Sequence, residues 1–168
     1  MNRYFLCTAM FTGLLCGLWG GFAGALGLSA WAGFAGCTAY FACDKRLLPG
    51  AALTLTSSCA GVLCAWLMIR GADALGSANS AYALTVGVFV TCIVLLGRFR
   101  WTSFVPGTFV GCYSLFAIED NDMVLLLTSL AIGILLGFVC DGGGSRLFAR
   151  WRPVPEGPAG RSSGAEIE

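Results

Sequence analysis

From Tyr4 to Cys43 the chain reads YFLCTAMFTGLLCGLWGGFAGALGLSAWAGFAGCTAYFAC, 40 residues without a charged side chain. A membrane-spanning helix needs roughly 20 predominantly apolar residues. This stretch therefore accommodates two spans, with a tight turn at Leu26-Gly27-Leu28-Ser29 between them. Four more charge-free stretches follow: Leu47–Ile69, Ala74–Gly97, Trp101–Ile118 and Met123–Cys140, of 23, 24, 18 and 18 residues. Six spanning helices are expected. Across all 168 residues, 57% are hydrophobic and 11% charged, with a mean hydropathy of +0.80. Soluble domains carry about 25% charged residues, and a fold this small leaves too much area exposed to hide such apolar content. The fold class is an all-α membrane protein.

The basic residues give the orientation independently, because short cytoplasmic loops are enriched in Lys and Arg. With the N-terminus inside, Arg3, Lys45, Arg46, Arg98, Arg100, Arg146, Arg150, Arg152 and Arg161 all fall on the cytoplasmic side, and of the ten basic residues only Arg70 falls outside. The outer loops hold Asp73 and the cluster Glu119, Asp120 and Asp122. Six spans with both termini cytoplasmic fit this pattern. In the alternative, about Ser29–Cys43 and Trp101–Ile118 are re-entrant and four full spans remain. That moves Lys45, Arg46, Arg98 and Arg100 outside, against the charge bias. Arg3, the apolar run and Ala23-Gly24-Ala25 resemble a signal peptide, but the run exceeds an ordinary h-region and an equally apolar stretch follows. An uncleaved first helix is expected. Residues 1–150 thus form a six-helix transmembrane domain, and 151–168, rich in Pro, Gly and Ser, a disordered cytoplasmic tail.

The second and fifth stretches repeat one another. Phe34, Gly36, Cys37, Phe41 and Ala42 match Phe109, Gly111, Cys112, Phe116 and Ala117 at an offset of 75, without gaps. In the helices that follow, Thr56, Ser57, Gly61 and Leu63 match Thr128, Ser129, Gly133 and Leu135 at an offset of 72. Similar offsets in consecutive helices predict a duplicated three-helix unit, repeat one about 4–70 and repeat two about 74–141. An odd number of helices inverts the second unit relative to the first, which is how many transporters are built, with sites near the midplane where repeats meet. Gly13, Gly17, Gly21 and Ala25 recur every four residues along the first helix. Gly107 and Gly111 in the fifth and Gly133 and Gly137 in the sixth keep the same spacing, which lets helix backbones approach.

The six stretches contain no Asp, Glu, Lys, Arg or His. Intramembrane ionisable groups mark ion pathways, proton relays and voltage sensors, so a pump, proton-coupled symporter or charge-selective channel is not expected. The two motifs offer small residues, hydroxyls and aromatics instead: Trp31, Phe34, Gly36, Thr38 and Tyr40 in one, and Pro106, Gly107, Thr108, Phe109, Gly111, Tyr113 and Ser114 in the other. These residues are the candidate lining of a narrow path for a small neutral polar solute. The plainer alternative makes Trp31 and Tyr40 interfacial belt residues and the hydroxyls interhelical bonds. Pro106-Gly107 frees backbone carbonyls that neighbours or a lined cavity must satisfy.

Nine cysteines lie in or at the ends of the stretches. Without a Cys-x-x-Cys pair or any His, they read as small packing residues rather than a metal or redox centre. No cofactor or metal is expected. Enzymatic activity is not expected either, since no His can activate a nucleophile. Gly142-Gly143-Gly144-Ser145 follows a helix instead of joining a strand to one, and it reads as a helix stop leading into an amphipathic Arg146–Arg152 stretch suited to the cytoplasmic lipid surface. The net charge of +1 points to no nucleic-acid partner.

Ser29-Ala30-Trp31-Ala32-Gly33-Phe34-Ala35-Gly36-Cys37-Thr38-Ala39-Tyr40-Phe41-Ala42 and Ser103-Phe104-Val105-Pro106-Gly107-Thr108-Phe109 resemble the bacterial inner-membrane family called YcdZ-like, domain-of-unknown-function family 1097. The likeness covers about residues 1–148. It implies a small multi-pass protein of the bacterial inner membrane and supplies neither a substrate nor functional residues. Two functions are therefore expected from the residues themselves. One is a facilitative channel or carrier for a small neutral polar solute. The other is a non-transporting scaffold or accessory subunit. Besides the lipid bilayer, the expected partner is another copy of the chain, a homo-oligomer joined through small-residue faces.

Overall fold

A computed structural model describes residues 3–76 and 78–150. Regular structure among them is entirely helical: α1 Arg3–Phe22, α2 Ala30–Ala42, α3 Leu47–Ala74, α4 Asn79–Leu96, α5 Val105–Ala117 and α6 Met123–Arg150, with single 3-10 turns at Gly24–Leu26 and Glu119–Asn121. The turn foreseen at Leu26–Ser29 is present. Gly27 reverses the chain at φ 66°, a left-handed conformation that costs glycine little, and the Leu28 N–H returns to the Ala23 carbonyl at 2.9 Å. α5 carries Pro106 in its first turn, where the missing N–H is one the helix would not bond. α6 starts at Asp122, whose Oδ1 accepts the N–H groups of Val124 and Leu125, both at 3.0 Å.

The six helices differ in reach. α3, α4 and the Met123–Gly144 part of α6 are long and apolar enough to cross a membrane. The 20 residues of α1 extend about 30 Å, whereas the 13 of α2 and of α5 extend only about 20 Å, short of a hydrocarbon core. The expected fifth span from Trp101 is cut down because residues 101–104 form a turn. Thr102 Oγ1 donates to Leu96 O at 2.6 Å, the Thr102 N–H to Phe99 O at 3.1 Å, and Thr56 Oγ1 to Trp101 O. These bonds supply the partners that a longer helix would have given.

The glycine triplet departs from expectation in the opposite sense. Gly142-Gly143-Gly144 does not stop the helix, which continues to Arg150. Gly143 lies against the Phe11 ring and Gly144 against Thr8, so the missing side chains admit α1 instead of ending α6. The expected disordered tail, 151–168, lies outside the described residues.

Each short helix lies parallel to a long helix of the other half. α2 follows α6 from a Ser29 N–H bond to Ser129 Oγ (3.0 Å) to a Tyr40–Asp141 bond at the other end. α5 follows α3 from the Thr56–Trp101 contact, with Ser58 Oγ donating to Gly107 O at 3.2 Å. The backbones touch where glycines meet carbonyls. Gly61 faces the Thr108 carbonyl and Gly111 that of Ser58; Gly133 faces the Gly33 carbonyl and Gly36 that of Leu130. A Cβ at any of these four would overlap the opposing main chain. At the offsets of 75 and 72 found in the sequence, the first two contacts map onto the last two. α1 packs beside the C-terminal half of α6, and α4 beside that of α3, where Thr85 meets Gly71. The core between the halves is Val62, Ala65, Met68, Leu115, Leu126 and Leu130, closed by Ile93 of α4.

Candidate functional site

The motif residues divide by the face of the helix they occupy. Trp31, Phe34 and Thr38 of α2, and Pro106, Phe109 and Tyr113 of α5, point away from the interior and are exposed on the isolated chain. Gly36, Gly107 and Gly111 are buried against neighbouring helices and leave no channel beside them. Only Tyr40, Thr108 and Ser114 bring hydroxyls inside, all fully buried. The structure therefore does not gather the twelve candidates around one path.

Of the three inward hydroxyls, Thr108 Oγ1 donates to Phe104 O within its own helix, at 3.4 Å. The Tyr40 hydroxyl works harder: it donates to Asp141 Oδ2 at 3.0 Å and accepts the Leu47 N–H at 2.9 Å. Leu47 opens α3 at φ 55°, a strained conformation for a γ-branched residue. Tyr40 thus ties the α2–α3 turn to a carboxylate on α6. Asp141 lies just past the charge-free stretch that ends at Cys140, yet it is part of α6 and is buried. Ser114 Oγ has no hydrogen-bond partner among the described residues.

Two further buried hydroxyls lie outside the candidate lining. Thr54 and Ser57 of α3 are fully buried, and Thr54 Oγ1 and Ser57 Oγ also have no partner. Their signal was in the sequence: Thr54, Ser57, Ser58 and Gly61 recur at helical spacing along one face, and that face packs on α5. Thr8 Oγ1 and Thr12 Oγ1 of α1 are in the same state among the described residues. A partnerless buried hydroxyl costs about 1–3 kcal/mol, so the three on the facing helices α3 and α5 call for an explanation.

A cavity of about 110 Å³ opens at this end of the α3–α5 seam, between the α2–α3 and α4–α5 turns, lined by Cys43, Asp44, Lys45, Leu53, Ser103 and Phe104. Two other hollows are lipid-type grooves: about 200 Å³ between α1 and α6, walled by Leu15, Trp19, Ile132, Leu135, Leu136 and Val139, and a shallow one along the outer face of α4. Among the described residues no three Cys, Asp or Glu side chains converge to hold a metal ion. Cys16, Cys37, Cys43, Cys59, Cys64, Cys92, Cys112 and Cys140 are free thiols.

The profile of the family described as "Protein of unknown function (DUF1097)" matches residues 9–145. The chain belongs to this family. It is 40% identical over 150 residues to "Inner membrane protein YcdZ" of Escherichia coli (strain K12), covering 86% of this chain and 88% of the relative. To the protein of the same name from Salmonella typhimurium (strain LT2) it is 35% identical over 145 residues, covering 86% of this chain and 90% of the relative. No solved structure matches. This DUF1097 member is a multi-helix protein of the bacterial inner membrane, in contact with the lipid bilayer.

Proposed function

We propose that this DUF1097 protein is a facilitator for a small neutral polar solute, not an enzyme. The observation that carries the reading is that, of the partnerless buried hydroxyls among the described residues, three lie on the facing helices α3 and α5: Thr54, Ser57 and Ser114. Helices that serve only to fill a bilayer gain nothing from hydroxyls without partners, whereas a solute moving between α3 and α5 would exchange hydrogen bonds with them in turn. The lining we propose therefore moves from the outward aromatics to the buried hydroxyls of the α3–α5 seam, keeping Thr108 and Ser114 of the motif residues.

The matching backbone contacts of Gly61 with Gly133, and of Gly111 with Gly36, support two inverted three-helix units. The parallel runs of α2 with α6 and of α3 with α5 fit six alternating passes, with both termini cytoplasmic as the basic residues require. In this arrangement α2 and α5 form the thin centre, and turns complete each passage on either side. That irregular backbone is tolerable because its polar groups are bonded within the protein, as Ser29 is to Ser129.

A second reading, a scaffold or homo-oligomer without transport, draws on a different observation. Gly13, Gly17 and Gly21 of α1 meet nothing within 4 Å among the described residues, which leaves a close-packing face for a second copy. Stopped-flow reswelling of proteoliposomes against urea, glycerol, acetamide and water separates the two. Faster reswelling for one solute class supports the facilitator. Rates equal to empty liposomes, from protein verified as folded, leave the scaffold.

A further inference from the structure

We propose that the cavity between the α2–α3 and α4–α5 turns is a binding vestibule for uncharged, hydrogen-bonding solutes of urea or glycerol size, and that the Phe104 ring is the plug sealing it from Ser57 and Thr54. The inference rests on the facilitator reading and names its mouth. The cavity volume of about 110 Å³ equals about three or four waters at about 30 Å³ each, the bulk of a solute of a few heavy atoms. Its lining suits a dipole more than an ion. Asp44 and Lys45 bring opposite charges, Ser103 a hydroxyl, and Leu53 and Phe104 an apolar wall.

Phe104 is the inner boundary. It is buried, packs with Ala39 and Cys43, and precedes the first residue of α5. Its ring rests on Gly107, whose absent side chain leaves the room the ring occupies; a Cβ there would overlap the ring and lie 3.4 Å from Ser57 Cβ. The solute-facing side of the ring is the cavity, and the far side is the level of Ser57, one turn from Thr54. The aromatic ring thus stands between the cavity and two of the partnerless hydroxyls of the α3–α5 seam. Rotation of this one side chain joins the cavity to the seam.

The test uses the full-length protein in proteoliposomes with two single-cysteine versions, each labelled by a small methanethiosulfonate. In the first, Cys43 is the only cysteine retained. Urea or glycerol is expected to slow its labelling, while raffinose at equal osmolarity, too large for the cavity, is not. In the second, Ser57→Cys is labelled with Phe104 present and with Phe104→Ala. The expected result is labelling about tenfold or more faster once the ring is gone. Equal protection by raffinose, or equal labelling of Ser57→Cys with and without the ring, overturns the proposal. If the cysteine-depleted background does not fold, urea and glycerol flux is compared in the otherwise native chain. Phe104→Ala is expected to raise flux and Phe104→Trp to lower it, and no change in either overturns the plug. A vestibule that passes the labelling tests in a protein with no flux for any solute sinks the facilitator reading alone.

Discussion

Adding one methyl group at Gly61 should separate the two halves of the molecule. The new Cβ of Gly61→Ala would overlap the Thr108 carbonyl and sit 2.8 Å from Cys112 N. Carbon contacts settle at about 3.5–4.0 Å, so α3 and α5 must part by about 1 Å, and a gap of that size forfeits up to about half of the dispersion attraction across the seam. The Ser58 Oγ bond to Gly107 O, already 3.2 Å long, would break as well, at about 0.6 kcal/mol for a bond between membrane helices. Together these reach about 3 kcal/mol, the upper end for overpacking a core. A chain of this length loses about 2–4 °C of Tm per kcal/mol, so Gly61→Ala should melt about 6–12 °C lower in mild detergent, followed by tryptophan fluorescence. Gly133→Ala, which meets the Gly33 carbonyl in the corresponding way, should lose as much. Gly17→Ala, with open space around it, should match or exceed the parent, since alanine favours the helix by up to about 1 kcal/mol. Should Gly61→Ala melt within about 2 °C of Gly17→Ala, the close approach of α3 and α5 is wrong and so is the pairing of the halves.

Three other outcomes follow from the same contacts. Tyr40→Phe strips Asp141 of a donor and the Leu47 N–H of its acceptor, a loss of about 2 kcal/mol; trypsin should then cut after Lys45 or Arg46 several-fold faster than in the parent, and an unchanged digestion rate would show that the turn is held by something else. Thr54→Val combined with Ser57→Ala removes hydroxyls that bond nothing, so thermal stability should hold or rise by about 1 kcal/mol while urea or glycerol flux falls; a clear drop in Tm would mean those hydroxyls have structural partners. Asp122→Ala takes away the cap of α6 and should cost about 1 kcal/mol in the same melting assay, an effect that Asp122→Ser should largely restore.

Much of this architecture could be read from residue order. Charge-free stretches located all six helices, Gly27 marked the first turn, and the offsets of 75 and 72 matched residues whose contacts correspond in space. The sequence was silent on partners. An offset says that α2 resembles α5, not that α2 lies on α6. The orientation of the motif aromatics was equally hidden, because lipid is as apolar as a protein core and the pattern that separates inside from outside in water is lost. Trp31, Phe34 and Phe109 look like interior residues by composition, yet they face outward. Asp141 was missed because a charge looks like the end of a span, and the three glycines after it look like a helix stop. Both impressions fail for one reason: α1 and Tyr40 supply in space the packing and the bond that local sequence lacks.

The crossing of short helices onto the opposite half bears on how the protein is made. Ser29 waits for Ser129 and Tyr40 for Asp141, partners 100 and 101 residues downstream. At about 5–20 residues per second, α2 leaves the ribosome about 5–20 s before α6 exists. Through that interval a helix about 20 Å long, with an unbonded serine N–H at one end and a phenol proton without its acceptor at the other, must be held at the insertion machinery or lodged in lipid too thick for it. Neither half contains the long helix on which its own short helix lies. Stop codons after α3 should therefore yield an unstable fragment for quality-control proteases, while two separately translated halves in one cell can complete each other.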